Sequence, residues 1–184
     1  GFFVAQMYGL TETCGDGAWN SSQEEKHLTS VGHVDNSCEY KLDAGELCMR
    51  GAPIMLGYYK DPEATAEVID KDGWFHTGDI ARLEEDGYMY LTGRKKNLII
   101  LDSGENVSPE ELEKLLAPCE DIQECIVKEK DKKICAVICC APEKQDAVRE
   151  FVTNVNRSLA LYKRMVVEFS AQPLPRNAAG KLLR

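Results

Sequence analysis

The sequence predicts an α+β protein in two parts: the β-rich end of a larger domain up to residue 93, then a small compact α+β domain over 94–184. Three observations predict it. Before residue 94 the apolar segments are short, alternate with polar residues and are cut by glycine turns, which is the pattern of strands. After it, strand-like and helix-like segments alternate, each with its own cap or turn. Charge divides at the same place. Residues 1–93 hold 6 Lys and Arg against 17 Asp and Glu, a net of −11, whereas residues 94–184 hold 16 against 14, a net of +2.

Each element has a local reason. In the first part, the residues ahead of "YGLTE" (8–12) read as a buried strand, and "GELCMRG" (45–51) alternates with Leu47 and Met49 on one face. Asp61 is a good N-cap, Pro62 suits the first helical position and Glu63 favours the positive end of the dipole, so a short helix starts there. "IARLEEDGYMYLTG" (80–93) is a hairpin turning on Asp86-Gly87. In the second part "NLIIL" (97–101) reads as a buried strand followed by a polar loop, and Ser108 and Glu111 have the spacing of a capping box. Segments 122–128 and 133–141 form two antiparallel strands around a charged turn at 129–132. Val148, Val152, Val155 and Leu159 mark one face of a long helix. A last strand, "MVVEF", leads into the polar tail "PLPRNAAGKLLR", where Pro173 and Pro175 exclude a helix and 178–180 is flexible.

Composition narrows the class. Hydrophobic residues make up 43% and charged residues 29%, enough apolar material for a buried core with a solvated surface. A net charge of −9 argues against nonspecific nucleic-acid binding. No apolar run approaches the ~20 residues that span a bilayer, and the start does not resemble a signal peptide, so a cytoplasmic location is expected. The eight cysteines include no CxxC pair and several lie in apolar strand-like runs, the usual setting of reduced core thiols. Because residue 1 is Gly and already strand-like, the chain is expected to be cut from a longer one.

Four stretches carry more chemistry than a structural loop requires. In "YGLTE", Tyr8 offers a flat face, Gly9 lets backbone approach a ligand, Thr11 donates a hydroxyl and Glu12 can hold Mg²⁺. A chance strand end would give the same five residues. In "DGWFHTGDIA" (72–81), Asp79 on a turn can take both hydroxyls of a ribose, or merely cap its own backbone. His76 beside it reads as a polar spacer. In "LTGRKKNLIILDSGENVSPEE" (91–111), Arg94 places a planar cation at the compositional boundary, and Ser103-Gly104 lies between strand and helix where amides can meet a ligand. A solvated basic turn is the plain reading of 94–96. In the tail, Lys181 is a mobile cation able to neutralise developing negative charge.

Taken together with "GELCMRGAPIMLGYYKDPEATAEV" and "YKRMVVEFSAQPLPRNAAGK", the order and spacing of these stretches resemble the adenylate-forming superfamily of acyl-CoA synthetases, luciferase-like enzymes and peptide-synthetase adenylation domains. The resemblance runs along essentially the whole chain. It implies ATP-dependent activation of a carboxylate to acyl-AMP, then transfer of the acyl group to coenzyme A, with a fatty acid as the expected substrate. A large N-terminal domain carrying a phosphate loop and the acyl pocket belongs upstream of Tyr8 in that family, so this chain alone is expected to be inactive. A peptide-synthetase adenylation domain is the alternative enzyme, and a non-catalytic nucleotide- or partner-binding fragment the alternative class.

The resemblance also implies roles. Tyr8 packs on adenine, Gly9 lies beside it, Thr11 contacts the α-phosphate, Glu12 holds Mg²⁺, and Asp79 binds the ribose with Arg94 alongside. Lys181 bridges the substrate carboxylate and phosphate during adenylation. Lys96 is the hinge about which the small domain turns, bringing Ser103 and Gly104 to the coenzyme A path. Where the family often has a second glycine, Glu105 follows Gly104, and the loop is one residue longer, as in long-chain fatty acyl-CoA synthetases. Peripheral contact with a membrane is compatible with such a substrate.

Overall fold

Twelve strands and three α-helices, in an α+β arrangement, make up the computed structural model, which describes residues 4–178 and 180–183. The chain divides into two compact units, Gly1–Lys96 and Asn97–Arg184. The division falls three residues beyond the compositional boundary.

In the first unit, β1 (Gln6–Gly9), β2 (Gly17–Asn20) and β3 (His33–Val34) form a small antiparallel sheet. A four-stranded antiparallel sheet follows, from β4 (Cys38–Asp43), β5 (Glu46–Gly51), β6 (Phe75–Leu83) and β7 (Met89–Arg94) in sequence order. Between β5 and β6 lies α1 (Pro62–Val68), capped as expected: the Asp61 side chain accepts from the Ala64 amide. The expectation for β5 needs correction. Its residues do not alternate in burial: Leu47 and Met49 enter the core, while Glu46 and Cys48 are buried between flanking strands and against His76 and Lys95. Leu47, Met49, Ala81 and Met89 pack with Tyr8 and Ala18 in one core. Leu56 and Tyr59 are left almost wholly exposed beside a cleft running along α1.

In the second unit, β8 (Ile99–Ile100) and β9 (Asn106–Val107) form a minimal hairpin, followed by α2 (Pro109–Leu116). The predicted strand over 97–101 is thus shorter and half exposed. Residues 95–97 form a 3-10 turn, Ile99 is buried and Ile100 points to solvent. Ser108 caps α2 by accepting from the Glu111 amide. Strands β10 (Glu124–Lys130) and β11 (Lys133–Cys139) pair antiparallel around Asp131-Lys132, both with positive φ, the conformation that suits a two-residue hairpin turn. After α3 (Gln145–Ser158), β12 (Met165–Ser170) returns parallel to β11, which therefore sits in the middle.

That three-stranded sheet has two covered faces. Val127, Ile134, Ala136 and Ile138 meet Leu112 and Leu116 of α2 and Val148 and Val152 of α3 on one. Full burial of each such aliphatic side chain contributes about 1.5–3 kcal/mol. Ile126, Cys135, Val137 and Cys139 line the other face, where Leu174 and Leu182 of the C-terminal segment pack. The segment expected to be a flexible tail is therefore a docked hairpin, apart from Ala179, which lies outside the described residues. Cys139 and Cys140 go to opposite faces, as alternation requires. Among the described residues no helix is long and apolar enough to cross a membrane.

Candidate active site

Tyr8, next to last in β1, is buried, and its hydroxyl donates to Asp79 Oδ2 across 2.6 Å. The other carboxylate oxygen, Oδ1, meets Arg94 Nε at 2.9 Å. Asp79 and Arg94 are direct partners across β6 and β7, and Arg94 also donates to the Thr77 carbonyl at 3.0 Å. Asp79 is thus a buried anion held from both sides, with acceptor capacity remaining on each oxygen. Burial, then the hydrogen bond to Asp79, pushes the Tyr8 phenol far above its ordinary value, so it remains a donor.

The strand bearing Asp79 is fixed by its neighbours. Thr77 Oγ1 donates to the Leu47 carbonyl at 2.7 Å, and the Gly78 amide, at a left-handed φ of 72° that favours glycine, donates to Glu46 Oε1 at 3.0 Å. Glu46 Oε2 accepts from Lys95 at 2.7 Å and meets His76 Nδ1 at 3.1 Å. Burial works against the Glu46 charge, yet these hydrogen bonds hold its carboxyl below the usual range. His76 is therefore a bonded member of this network rather than a spacer.

Around "YGLTE" the chain folds on itself. Residues 11–13 make a 3-10 turn stapled by Thr13, whose buried hydroxyl accepts from the Leu10 amide at 2.9 Å and donates to the Asp16 carbonyl. A Cβ on Gly9 would lie 2.2 Å from the Gly15 carbonyl oxygen, so glycine is required here by the turn itself, before any ligand is considered. Thr11 is exposed on the turn, and half-buried Glu12 accepts from the Tyr58 hydroxyl at 2.8 Å. The structure thus brings Tyr8, Asp79 and Arg94 into one cluster. Glu12 meets a partner, Tyr58, that the sequence reading did not include.

Lys96 is exposed in the 3-10 turn Lys95–Asn97, the last residue of the first unit. In the second unit, the β8–β9 turn closes through a Gly104 amide bond to the Leu101 carbonyl at 2.8 Å. That amide, expected to be available to a ligand, is already committed, and Ser103 Oγ donates to the Glu105 carboxylate. Ser103 lines a cleft of about 370 Å³ together with Lys132, Lys133, Arg164, Leu161 and Tyr162. Asp102 and Glu129 line the same cleft, and Lys132 pairs with Asp102 at 2.7 Å, so its charge is mixed, with Lys133 and Arg164 as its other cations.

Lys181 lies elsewhere in this unit, on the hairpin over the opposite sheet face. Its backbone is tightly held. The Asn177 amide donates to the Lys181 carbonyl, the Lys181 amide to Asn177 Oδ1, and the Gly180 amide to the Asn177 carbonyl, each at 2.9 Å. Arg176 forks between Glu124 Oε1 at 2.5 Å and the Gly180 carbonyl at 2.6 Å, while Glu124 Oε2 accepts from the Leu174 amide at 2.6 Å. The side chain of Lys181 stays exposed and makes no ion pair among the described residues. Sequence reasoning missed Thr13, Glu46, Tyr58, Glu124 and Arg176. Only Arg176 carried a signal, an arginine between a proline and a small-residue turn.

No family model matches the chain. A long-chain-fatty-acid–CoA ligase of Salmonella typhimurium is 36% identical over 209 aligned residues, which cover 100% of this chain and 35% of that protein. The o-succinylbenzoate coenzyme A synthetase of Bacillus subtilis, solved with its acyl-adenylate intermediate, superposes with a TM-score of 0.83 at 30% identity, over 100% of this chain and 40% of that one. The same synthetase solved with ATP and magnesium superposes at 0.80 with 31% identity, over 98% and 40%. The chain therefore spans between a third and two fifths of the length of these relatives. With such identity along its whole length to a CoA ligase, and the fold of a synthetase solved with an acyl-adenylate, the chain belongs to the adenylate-forming superfamily.

Proposed function

We propose that this chain is the C-terminal part of an AMP-forming acyl-CoA synthetase, with the unit up to Lys96 completing a nucleotide site and residues 97–184 forming the domain that moves. The observation that carries the reading is the Tyr8–Asp79–Arg94 cluster, a buried carboxylate pinned by a phenol and a guanidinium. Such a group accepts from vicinal hydroxyls without reorganising, as ribose recognition requires. Adenine then packs beside Tyr8 and Gly9, and Thr11 donates to the α-phosphate.

Glu12 is a hard oxygen donor with one carboxylate oxygen engaged by Tyr58, which fits a Mg²⁺ ion that keeps most of its waters. Bound there, the ion would offset phosphate charge. In the first half-reaction a carboxylate oxygen of the substrate bonds to the α-phosphorus of ATP and the bond to the departing pyrophosphate breaks. Lys181 lowers that barrier by placing a cation between two anions, from a loop whose backbone is already ordered. In the second, the coenzyme A thiol gives its proton to solvent, its sulfur bonds to the acyl carbon, and the acyl–oxygen bond to the departing AMP breaks. Rotation about Lys96 exchanges Lys181 for the Ser103-Gly104 loop, and Lys133 and Arg164 in the mixed-charge cleft beside Ser103 meet phosphate groups of coenzyme A.

A fatty acid is the favoured substrate, supported by the identity to a long-chain ligase and by Glu105 in the longer loop. The test is ATP–pyrophosphate exchange and thioester formation with fatty acids and aryl acids. It uses this chain and a protein extended upstream to the length of its relatives. Exchange by the extended protein with fatty acids, and none by this chain, is expected. Exchange driven only by aryl acids would overturn the substrate, and exchange without thioester formation would overturn coenzyme A as acceptor.

A further inference from the structure

We propose that Asp43, Cys48 and His76 form a binding site for a borderline-soft divalent cation, of which Zn²⁺ is the type. The three residues come from neighbouring strands, β4, β5 and β6. Cys48 pairs with His76 on one side and with Lys41 on the other, and Asp43 stands two residues beyond Lys41. Period-two alternation therefore places Asp43 and Cys48 on the same face of the sheet. One ligand atom from each of the three lies within 4.8 Å of the other two.

The Cys48–His76 spacing is that of two ligands in one coordination shell, with Asp43 near enough to close on the same ion. Cys48 Sγ and His76 Nδ1 are 3.5 Å apart. A tetrahedral centre with a metal–sulfur bond of about 2.3 Å and a metal–nitrogen bond of about 2.0 Å holds those two atoms about 3.5 Å apart. Thiolate and imidazole together favour zinc-like ions over Mg²⁺ or Ca²⁺, which take oxygen ligands. His76 Nε2 faces Asp70 Oδ2 at 3.7 Å, so a carboxylate stands where a metal-bound histidine usually directs its second N–H. Cys48 is buried, His76 is partly exposed and Asp43 is exposed, which leaves an entry path from the Asp43 side.

Charge around the site is mixed. Lys95 pairs with Glu46 Oε2, and Glu46 also contacts His76 Nδ1. When the metal takes Nδ1, Glu46 keeps Lys95 and the Gly78 amide, so no buried carboxylate is left without a partner. Three protein ligands then leave a fourth position for water. On binding, the Cys48 S–H bond breaks, a sulfur–metal bond forms and the proton passes to solvent. Asp43 enters as carboxylate and His76 as neutral imidazole. None of the three residues has a part in the proposed adenylation chemistry, so the inference stands apart from that reading.

The 184-residue chain, stripped with chelator, would be titrated with Zn²⁺ and with Mg²⁺ by calorimetry, and with Co²⁺ by absorption. One Zn²⁺ per chain, no heat with Mg²⁺ and a thiolate–cobalt charge-transfer band are expected. Asp43→Asn, at an exposed position that leaves the core alone, should weaken binding about 10- to 100-fold. His76→Gln should do the same, and Cys48→Ala should abolish the band. If Cys48→Ala fails to fold, the other two variants decide. Absence of binding, or binding unchanged in Asp43→Asn and His76→Gln, would overturn the site and assign any bound metal to other thiols.

Discussion

The Asp79 corner and the Lys181 hairpin hold the two groups of opposite charge on which the proposed chemistry depends, and they hold them differently. Asp79 is buried, and both of its oxygens are bonded, to Tyr8 and to Arg94. Lys181 has a backbone bonded on every side through Asn177, Gly180 and the Glu124–Arg176 clamp, yet its ammonium is exposed. A carboxylate that binds a ground-state ribose gains from rigidity. A cation needed in one half-reaction and withdrawn in the next gains from a fixed base and a free tip. The contrast predicts that damage at Asp79 appears in folding as well as in function, whereas damage at Lys181 appears in chemistry alone.

The largest expected effect tests the free tip. In a protein extended upstream to the length of its relatives, Lys181→Ala should slow adenylation on the order of 100- to 1000-fold. Thioester formation from supplied acyl-AMP, and the melting temperature, should hardly change. Equal losses in both half-reactions would remove the contrast. Arg176→Ala, which frees the fixed base but leaves the ammonium in place, should cost adenylation about 10- to 100-fold through misplacement. Arg176→Lys should recover only part of that, since lysine cannot fork between Glu124 and the Gly180 carbonyl.

Next in size is Asp79→Asn, which removes a charge from between a phenol and a guanidinium. Denaturant unfolding of the 184-residue chain should show a loss of about 1–3 kcal/mol, kept below the fully buried value because Arg94 is partly exposed. Lys181→Ala should lie within about 0.5 kcal/mol of the parent in the same measurement. If the two variants unfold alike, the corner is not the more rigid of the two regions.

The smallest effect is one of pH. The Arg176 hydrogen bond, then the Leu174 amide, hold the Glu124 carboxyl below the usual carboxylate range. A group whose folded value is depressed contributes stability above its unfolded value, and that contribution is lost as pH falls through the folded one. Amide-exchange protection of Leu174, Asn177, Gly180 and Lys181 should therefore be constant at neutral pH and fall below about pH 4. Glu124→Gln should already lack the protection at neutral pH and show little further change.

The legible parts of the molecule were those whose causes lie within a few residues. Asp61 and Ser108 cap helices through the residue three positions on, and the apolar stripe of α3 follows from helical period. The errors arose where neighbours in space intervened. Alternation puts Cys48 and Glu46 opposite Leu47 and Met49, yet the flanking strands β4 and β6 with His76 and Lys95 bury them as well. The tail read as a polar segment with a flexible turn because its anchors, Leu174 and Leu182, find their apolar partners on strands far back in the chain.

By itself, the sequence determined the class of fold, the turns and caps, and the residue types able to hold a nucleotide, a metal and a developing charge. All of these follow from side-chain chemistry and local spacing. Only the tertiary structure decided which of those groups meet. Tyr8 reaches Asp79 across 71 positions, Glu12 meets Tyr58 across 46, and Glu124 grips Arg176 across 52. Pairings at such separations depend on strand order and register, and a shift of one residue in β6 would turn Asp79 to the other face of its sheet.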